Sequence, residues 1–349
     1  MEKYSKWRDS GTGIQTFLQP VPTRAQQEGL QRAISAVKSY IVGPLIAVVR
    51  FVALGATAVL ATATSAIGTL LVVPSIKRGY TRCTQAVLAR LALFVMGFYY
   101  IDTKTVSLQK GRRATTAAKD SEKRSGVAKS GDIIVANHAS YVDILYLVAK
   151  YSPVFIEIDN ASTYARPISL WTALLSPARQ TPALLPAKEA RPLRDITEEA
   201  RLRNLGPVIV FPENATSNGR ALLQFLPMFE DAANLDEKST IHVVAFKYPF
   251  QSFSPAYSVG SQSAHLFGMC CQVYNSLVVR VLEQEETPRI KDSAMFCDAD
   301  QEPVDLDEAV KEKMLQLSRL RMTKLSAMDK RDFLAFYYKQ AKKRGRPSI

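Results

Sequence analysis

From Phe51 to Ile76 the chain carries no charged side chain for 26 consecutive residues, and between Ser39 and Ile76 the only charge is Arg50. A helix crosses the hydrocarbon core of a bilayer with about 20 apolar residues, so the run is long enough to span. It is rich in Ala and Thr (Ala56, Thr57, Ala61, Thr62, Ala63, Thr64), and Gly43-Pro44 and Gly55 are places where it can bend. A second apolar stretch, Ala86–Ile101, is interrupted by Arg90. Basic residues stand on both sides: Arg32 and Lys38 before, Lys77, Arg78 and Arg82 after. The flanking charge therefore sets no orientation. A single span and a hairpin dipping into one leaflet fit equally, and a buried helix of a soluble domain is the alternative. The first 30 residues are polar and lack the basic, apolar, small-residue order of a secretory signal.

The chain has 349 residues and a net charge of +13, unevenly spread. Residues 103–130 hold eight Lys/Arg and two Asp/Glu, and residues 311–349 hold twelve and three. A near-neutral body thus carries two basic segments, which suit an anionic membrane surface or nucleic acid. The sequence Lys342-Lys343-Arg344-Gly345-Arg346-Pro347 contains RGRP, which is like the core of a minor-groove-binding arm. The long apolar run argues against that reading, and nucleic acid is not the expected partner. Cys83, Cys270, Cys271 and Cys297 are too few for a disulfide framework and lack zinc spacing, so no metal site is expected.

After Gly131 short apolar runs alternate with helical ones. Asp132–Ala136, Pro153–Ile158, Pro182–Leu185, Pro207–Phe211, Ile241–Phe246 and Leu277–Leu282 read as strands. A helix begins near Asp143, and Ile168–Leu175 and Leu193–Leu205 have helical spacing. The alternation predicts an α/β fold with a central, largely parallel or mixed sheet flanked by helices. Two further helices are expected after Pro303 and near Asp329.

Two stretches carry chemistry. Asn137-His138-Ala139-Ser140-Tyr141-Val142-Asp143 leaves the carboxyl end of the strand Asp132–Ala136, where open α/β sheets place their sites. Ser140 and Asp143 have capping-box spacing, which accounts for these two residues but not for Asn137 and His138. With the helix starting at Ser140, His138 lies in the preceding turn and can fold back onto Asp143. A carboxylate on one ring nitrogen leaves the other as a general base. The second stretch, Phe211-Pro212-Glu213-Asn214-Ala215-Thr216-Ser217-Asn218-Gly219-Arg220, leaves the strand Pro207–Phe211. His242 in its apolar strand reads as a core histidine, and packing roles are expected for His265 and Cys270-Cys271.

NHxSxxD followed about 70 residues later by FPE-x-x-T-S-N-G resembles the PlsC-like glycerolipid acyltransferase family, across roughly Gly131–Glu286. The resemblance implies acyl transfer from acyl-CoA to the hydroxyl of a lysophospholipid, most simply lysophosphatidic acid. His138 would be the base and Asp143 its orienting partner, with Asn137 and Ser140 completing the motif. Glu213 would belong to the acceptor-binding motif with Pro212, Thr216, Ser217 and Gly219. Backbone N–H groups near a helix start would hold an oxyanion or a phosphate. Acyl-CoA enters as co-substrate, with no cofactor and no metal.

Lysophosphatidate-specific members commonly read FPEGTRS; here Asn214, Ala215 and Thr216 replace the Gly, the Thr and the Arg. That arginine would pair with the acceptor's phosphate, so Arg220 and then Lys188 become the phosphate candidates. The SNGR ending resembles the branch acting on other lysophospholipids and some fungal-type enzymes. The same departures leave open another head group or a catalytically impaired membrane homologue. The chain thus divides into a polar segment (1–38), membrane-associated helices (39–102), a basic flexible insert (103–130), an acyltransferase domain (131–302) and basic C-terminal helices and tail (303–349). The expected location is the endoplasmic reticulum membrane, or a lipid droplet surface, with a cytosolic catalytic face and basic segments toward an anionic leaflet.

Overall fold

The computed structural model describes residues 4–22, 37–108, 127–160, 164–179, 189–230, 235–290 and 305–343. Two helices lead, α1 (Gly43–Leu70) and α2 (Pro74–Val95). Next come β1 (Ile101–Val106), β2 (Ile133–Ala136), α3 (Tyr141–Tyr151), β3 (Val154–Ile158), β4 (Ala165–Ile168) and α4 (Leu170–Leu175). They are followed by α5 (Leu193–Leu202), β5 (Val208–Val210), β6 (Ile241–Lys247), α6 (Gln262–Cys270) and β7 (Leu277–Leu282). The helices α7 (Leu306–Ser318) and α8 (Ala327–Lys343) close the chain's described part.

The strands form one seven-stranded mixed sheet in the order β1-β7-β6-β2-β5-β3-β4. β2 lies between β5 and β6 and is parallel to both, while β3–β4 and β6–β7 are antiparallel. Successive strand residues point to opposite faces. Ile134 and Ala136 therefore join the core with Leu93, Phe98, Val142 and Leu147 of the α2 and α3 side. Ile133 and Val135 meet Leu193, Ile196, Val310 and Met314 from α5 and α7 on the other face. In α5 the buried residues Leu193, Ile196 and Ala200 recur at helical spacing and make that contact.

α1 with its preceding turn gives an apolar helix over Tyr40–Leu70, 31 residues with mean hydropathy 2.1 and only 17% of the apolar window buried. At 1.5 Å per residue it is about 46 Å long, more than the roughly 30 Å of a bilayer core. The hydroxyls of Thr62, Thr64 and Ser65 donate to carbonyls three or four residues back, which hides their polarity within the helix. Three residues separate it from α2, and the two helices pack as a hairpin on α6 and α3. Arginine forks clamp the hairpin down. Arg50 donates to the carbonyls of Cys270, Gln272 and Val273, Arg78 to those of Asn204 and Ser152, and Arg90 to those of Phe98 and Tyr99. These guanidiniums are turned onto backbone carbonyls.

The sheet begins earlier than the sequence pattern suggests. β1 starts inside the expected membrane segment and runs into the expected basic insert, because Ile101–Val106 pairs in parallel with Leu277–Leu282. Its Asp102 and Lys104 mask the strand in sequence, since only an edge strand tolerates that alternation. β4 is a second unforeseen strand, taking Ile168 from the start of the expected Ile168–Leu175 helix. The expected strand Pro182–Leu185 and most of the insert lie outside the described residues. The polar N-terminal segment and the C-terminal helices are not separate attachments: Trp7 and Phe17 pack with Leu223, Phe333 and Leu334 in a third buried cluster.

Candidate functional site

The site forms at the carboxyl ends of β2 and β5, neighbouring parallel strands in the register Val135↔Val210. That pairing brings together two loops lying about 70 residues apart in sequence. Ser140 caps α3, its Oγ accepting from Val142 N while the Asp143 carboxylate returns to the Ser140 N–H. The expected capping box is therefore present, and it also does the orienting. Asp143 Oδ2 accepts from Ala139 N and Ser140 N, both at 2.8 Å, and lies 3.2 Å from His138 Nδ1. Asp143 Oδ1 accepts from the Tyr248 hydroxyl. Burial first, then the Asp143 charge, pushes the Tyr248 phenol well above its ordinary 10, so it remains a donor.

His138 thus has Nδ1 on a carboxylate, while its buried Nε2 has no hydrogen-bond partner among the described residues. Its ring stacks on Phe211, centroids 4.3 Å apart and planes 19° from parallel. Asn137 joins the end of β2 to β6, donating to Phe246 O at 3.2 Å and accepting from Phe246 N at 2.7 Å. Ser140 Oγ also donates to Pro255 O at 2.7 Å.

The second motif is mostly scaffold. Glu213 is completely buried; its carboxylate accepts from His138 N at 3.1 Å and from Leu223 N at 2.8 Å. Burial pushes its carboxyl up to about 8 despite those two N–H groups. Glu213, expected in the acceptor-binding motif, faces inward and holds the backbone of the histidine. Pro212, Ser217 and Gly219 likewise lie behind the cavity wall. Pro212 O accepts from Leu226 N, Ser217 N donates to His138 O at 3.1 Å, and Gly219 takes a left-handed φ of 71°. Asn218 fastens the N-terminal segment, donating to the carbonyls of Gln15 and Leu18. Asn214 stands where the resembled motif has glycine, with φ 46°, a left-handed conformation that asparagine tolerates better than most residues.

A cavity of about 290 Å³ opens in front of His138. Ile144, Phe155, Ile168 and Phe211 give it an apolar wall, and Asn214, Thr216, Arg166, Arg179 and Lys330 give it polar ends. Of the two phosphate candidates from the sequence, only Arg220 falls among the described residues, and it is not there. Arg220 is exposed and reaches Val21 O, outside the cavity, and Lys188 lies outside the described residues. Arg166 is held by Glu157 and Glu189. Lys330, from α8, is buried and donates to Thr216 O at 2.8 Å and to Thr216 Oγ1. Burial brings its ammonium down to about 7. Three N–H groups at the start of α3 are also committed, those of Ala139 and Ser140 to Asp143 and that of Val142 to Ser140. These three are therefore not free to hold an oxyanion.

Phe211, Tyr248 and Lys330 escaped the sequence reading. Phe211 opens the second motif, two residues before Glu213, but the motif by itself gives the ring no role. Tyr248 and Lys330 belong to no local pattern; only the approach of β6 and α8 brings them in. Outside the site, His242 pairs with Asp132 at 3.4 Å. His265 lies between the Tyr141 hydroxyl and Ser254 O, and burial pushes it down to about 4, as suits a neutral core histidine. Among the described residues no group of three His, Cys, Asp or Glu is placed to hold a metal ion. Behind α4 a second, largely apolar cavity of about 600 Å³ lies between the hairpin and the sheet domain, lined by Leu54, Ala61, Leu88, Tyr141 and Trp171 among others.

No protein-family model matches the chain. A Schizosaccharomyces pombe protein, provisionally named lysophosphatidic acid:oleoyl-CoA acyltransferase, is 26% identical over 340 residues, covering 96% of this chain and 97% of that protein. The Arabidopsis thaliana lysophospholipid acyltransferase LPEAT1 is 30% identical over 208 residues, 55% of this chain and 49% of the plant protein. The crystal structure of the 1-acyl-sn-glycerophosphate acyltransferase PlsC from Thermotoga maritima overlays with a TM-score of 0.40 and 15% identity, covering 79% of this chain and 97% of that one.

Proposed function

We propose that this chain, which belongs to the PlsC-like glycerolipid acyltransferase family, transfers a fatty acyl chain from acyl-CoA to the free hydroxyl of a lysophospholipid, with lysophosphatidic acid as the leading acceptor. The observation that carries the reading is His138, a residue lining the cavity, with Nδ1 on Asp143 and an Nε2 that has no partner among the described residues. Nε2 takes the proton of the acceptor hydroxyl as its oxygen attacks the thioester carbonyl carbon. Asp143 balances the imidazolium that forms. The tetrahedral intermediate then collapses with cleavage of the carbon–sulfur bond, and the imidazolium returns the proton to the departing thiolate as CoA-SH. The base and its partner are fixed beforehand by a helix cap, a phenol and a stacked ring, so little reorganisation accompanies the proton transfer.

The apolar wall of the His138 cavity suits a lipid acceptor, and the larger apolar cavity behind α4 suits an acyl chain. The name of the fission-yeast relative favours lysophosphatidate with oleoyl-CoA. Thr216 in place of arginine, together with the name of the plant relative, favours a second reading in which another lysophospholipid is the acceptor. The apolar outer face of α1 supports membrane attachment. We place the enzyme at the endoplasmic reticulum or a lipid droplet surface, catalytic face to the cytosol, where acyl-CoA is made available.

The test is release of free CoA by the purified chain in detergent, given oleoyl-CoA and a panel of lysolipids. A positioned base contributes about 10²–10⁴-fold, so His138→Ala should lose that much turnover. Unchanged turnover in the variant would sink the mechanism.

A further inference from the structure

At position 216 the family arginine of FPEGTRS would meet the acceptor's phosphate, and this chain has Thr216 there. Asn214 adopts a left-handed conformation where the resembled motif has glycine, and Ser217 N is tied to His138 O. A cation arrives at the same place from 114 residues further along the chain. Lys330 Nζ donates to Thr216 O at 2.8 Å and to Thr216 Oγ1. The lysine is 3% exposed, and what it shows lines the cavity that His138 also lines. An ammonium has three donors, and Thr216 occupies two. No carboxylate pairs with Lys330 among the described residues. The nearby Glu213 is spent on two backbone N–H groups, with a carboxyl pushed up to about 8 by burial.

A buried lysine without a carboxylate is costly in an empty site. An anionic ligand removes that cost, and a phosphate monoester is an anion that a held point charge can bind. The other cations of the cavity are less suited. Arg166 is engaged by two glutamates, and Arg179 is an exposed residue of the wall. We propose that Lys330 binds the acceptor's phosphate, the C-terminal helix α8 supplying at Thr216 the positive charge that the family carries as arginine. The inference rests on the acyl-transfer reading for the class of acceptor.

The experiment compares 1-oleoyl-lysophosphatidate with phosphate-free monooleoylglycerol as acceptors for full-length wild type, Lys330→Met and Lys330→Met/Thr216→Arg. For Lys330→Met the KM for lysophosphatidate should rise roughly ten- to a hundredfold, with kcat changed far less. Preference for lysophosphatidate over monooleoylglycerol should fall by a similar factor, and Thr216→Arg should recover most of it. Three results would overturn the proposal: an unchanged KM in a variant with a wild-type melting curve, a rise in KM for oleoyl-CoA instead, or an equal kcat loss with both acceptors. Because removing Lys330 can unfold the loop, a second measurement uses wild type alone. Acetic anhydride labelling of Lys330, read by mass spectrometry, should be suppressed by lysophosphatidate and not by monooleoylglycerol. Equal protection by both, protection by neither, or an amine that is never labelled would each refute it. A wild type that acylates no acceptor would undo the acyl-transfer reading, while the labelling would still report on phosphate at Lys330.

Discussion

Replacing Asp143 by asparagine separates the charge of this residue from its role as a cap. The side-chain oxygen of the introduced amide can still accept from Ala139 N and Ser140 N, now 2.8 Å from Oδ2. The amide NH2 then faces the Tyr248 hydroxyl, which can turn from donor to acceptor. Alanine instead would strand four buried donors, Ala139 N, Ser140 N, His138 Nδ1 and the Tyr248 hydroxyl, at about 1–3 kcal/mol each and confound folding with chemistry. What asparagine lacks is the negative charge beside the imidazolium. The pair is 3.2 Å apart with side-chain exposures of 6% and 0%, so solvent screening is slight. At an effective dielectric of about 20, a charge pair at that distance is worth about 5 kcal/mol. Loss of that stabilisation as His138 takes up a proton corresponds to a fall in kcat of about 10³–10⁴-fold. The assay is CoA release under saturating oleoyl-CoA and lysophosphatidate, with thermal melting on the same preparation. Turnover within tenfold of wild type, in a variant melting like wild type, would refute the claim that Asp143 acts through charge.

Stability should depend on pH through Glu213 and Lys330 in opposite senses. Folded Glu213 keeps a proton that the unfolded chain has lost between its ordinary 4.5 and about 8, so stability falls as pH rises through that window. Folded Lys330 has lost a proton that the unfolded chain keeps between about 7 and the ordinary 10.5, so stability rises across that range. Urea midpoints against pH should therefore dip near neutrality, Glu213→Gln removing the acidic-side fall and Lys330→Met the alkaline-side rise; unchanged slopes in both variants count against the assignment. Gly206 has φ 101° and an added Cβ would lie 2.4 Å from Ser152 O, so Gly206→Ala should cost about 2 kcal/mol or more, and an unmoved urea midpoint would contradict the geometry. Val49 and Val52 are about 70% exposed on the outer face of α1; Val49→Lys/Val52→Lys should lower flotation with phosphatidylcholine–phosphatidate vesicles, and equal flotation of variant and wild type would argue against that face as the lipid contact.

Much of the sheet was legible because each central strand is a short apolar run. Ile133–Ala136, Val154–Ile158, Val208–Val210, Ile241–Lys247 and Leu277–Leu282 all fall on or within one residue of the runs read as strands. β1 was not legible, because an edge strand with one wet face can carry Asp102 and Lys104 and keep its ladder to β7. β4, Ala165–Ile168, holds an arginine and a proline, and only its pairing with β3 makes it a strand.

The His138–Asp143 pairing was local information. His138 and Asp143 are five residues apart, and a capping box that starts the helix at Ser140 is enough to turn one onto the other. The sequence by itself therefore determined the α/β class, the histidine with its carboxylate, and the long apolar helix at the front. What each residue of the second motif does was decided by the packing around it. Glu213 and Arg220 are both polar in sequence, yet one is sealed behind the histidine and the other is turned to the surface. Lys330 lies in an ordinary basic stretch, and only the packing of α8 and the N-terminal segment against the Thr216 loop brings its ammonium onto Thr216, beside the cavity. Contacts within a turn are constrained by the few torsions between the residues, and sequence spacing exposes them. Contacts between residues 114 positions apart arise when separate elements bury their apolar faces together, and no spacing records that.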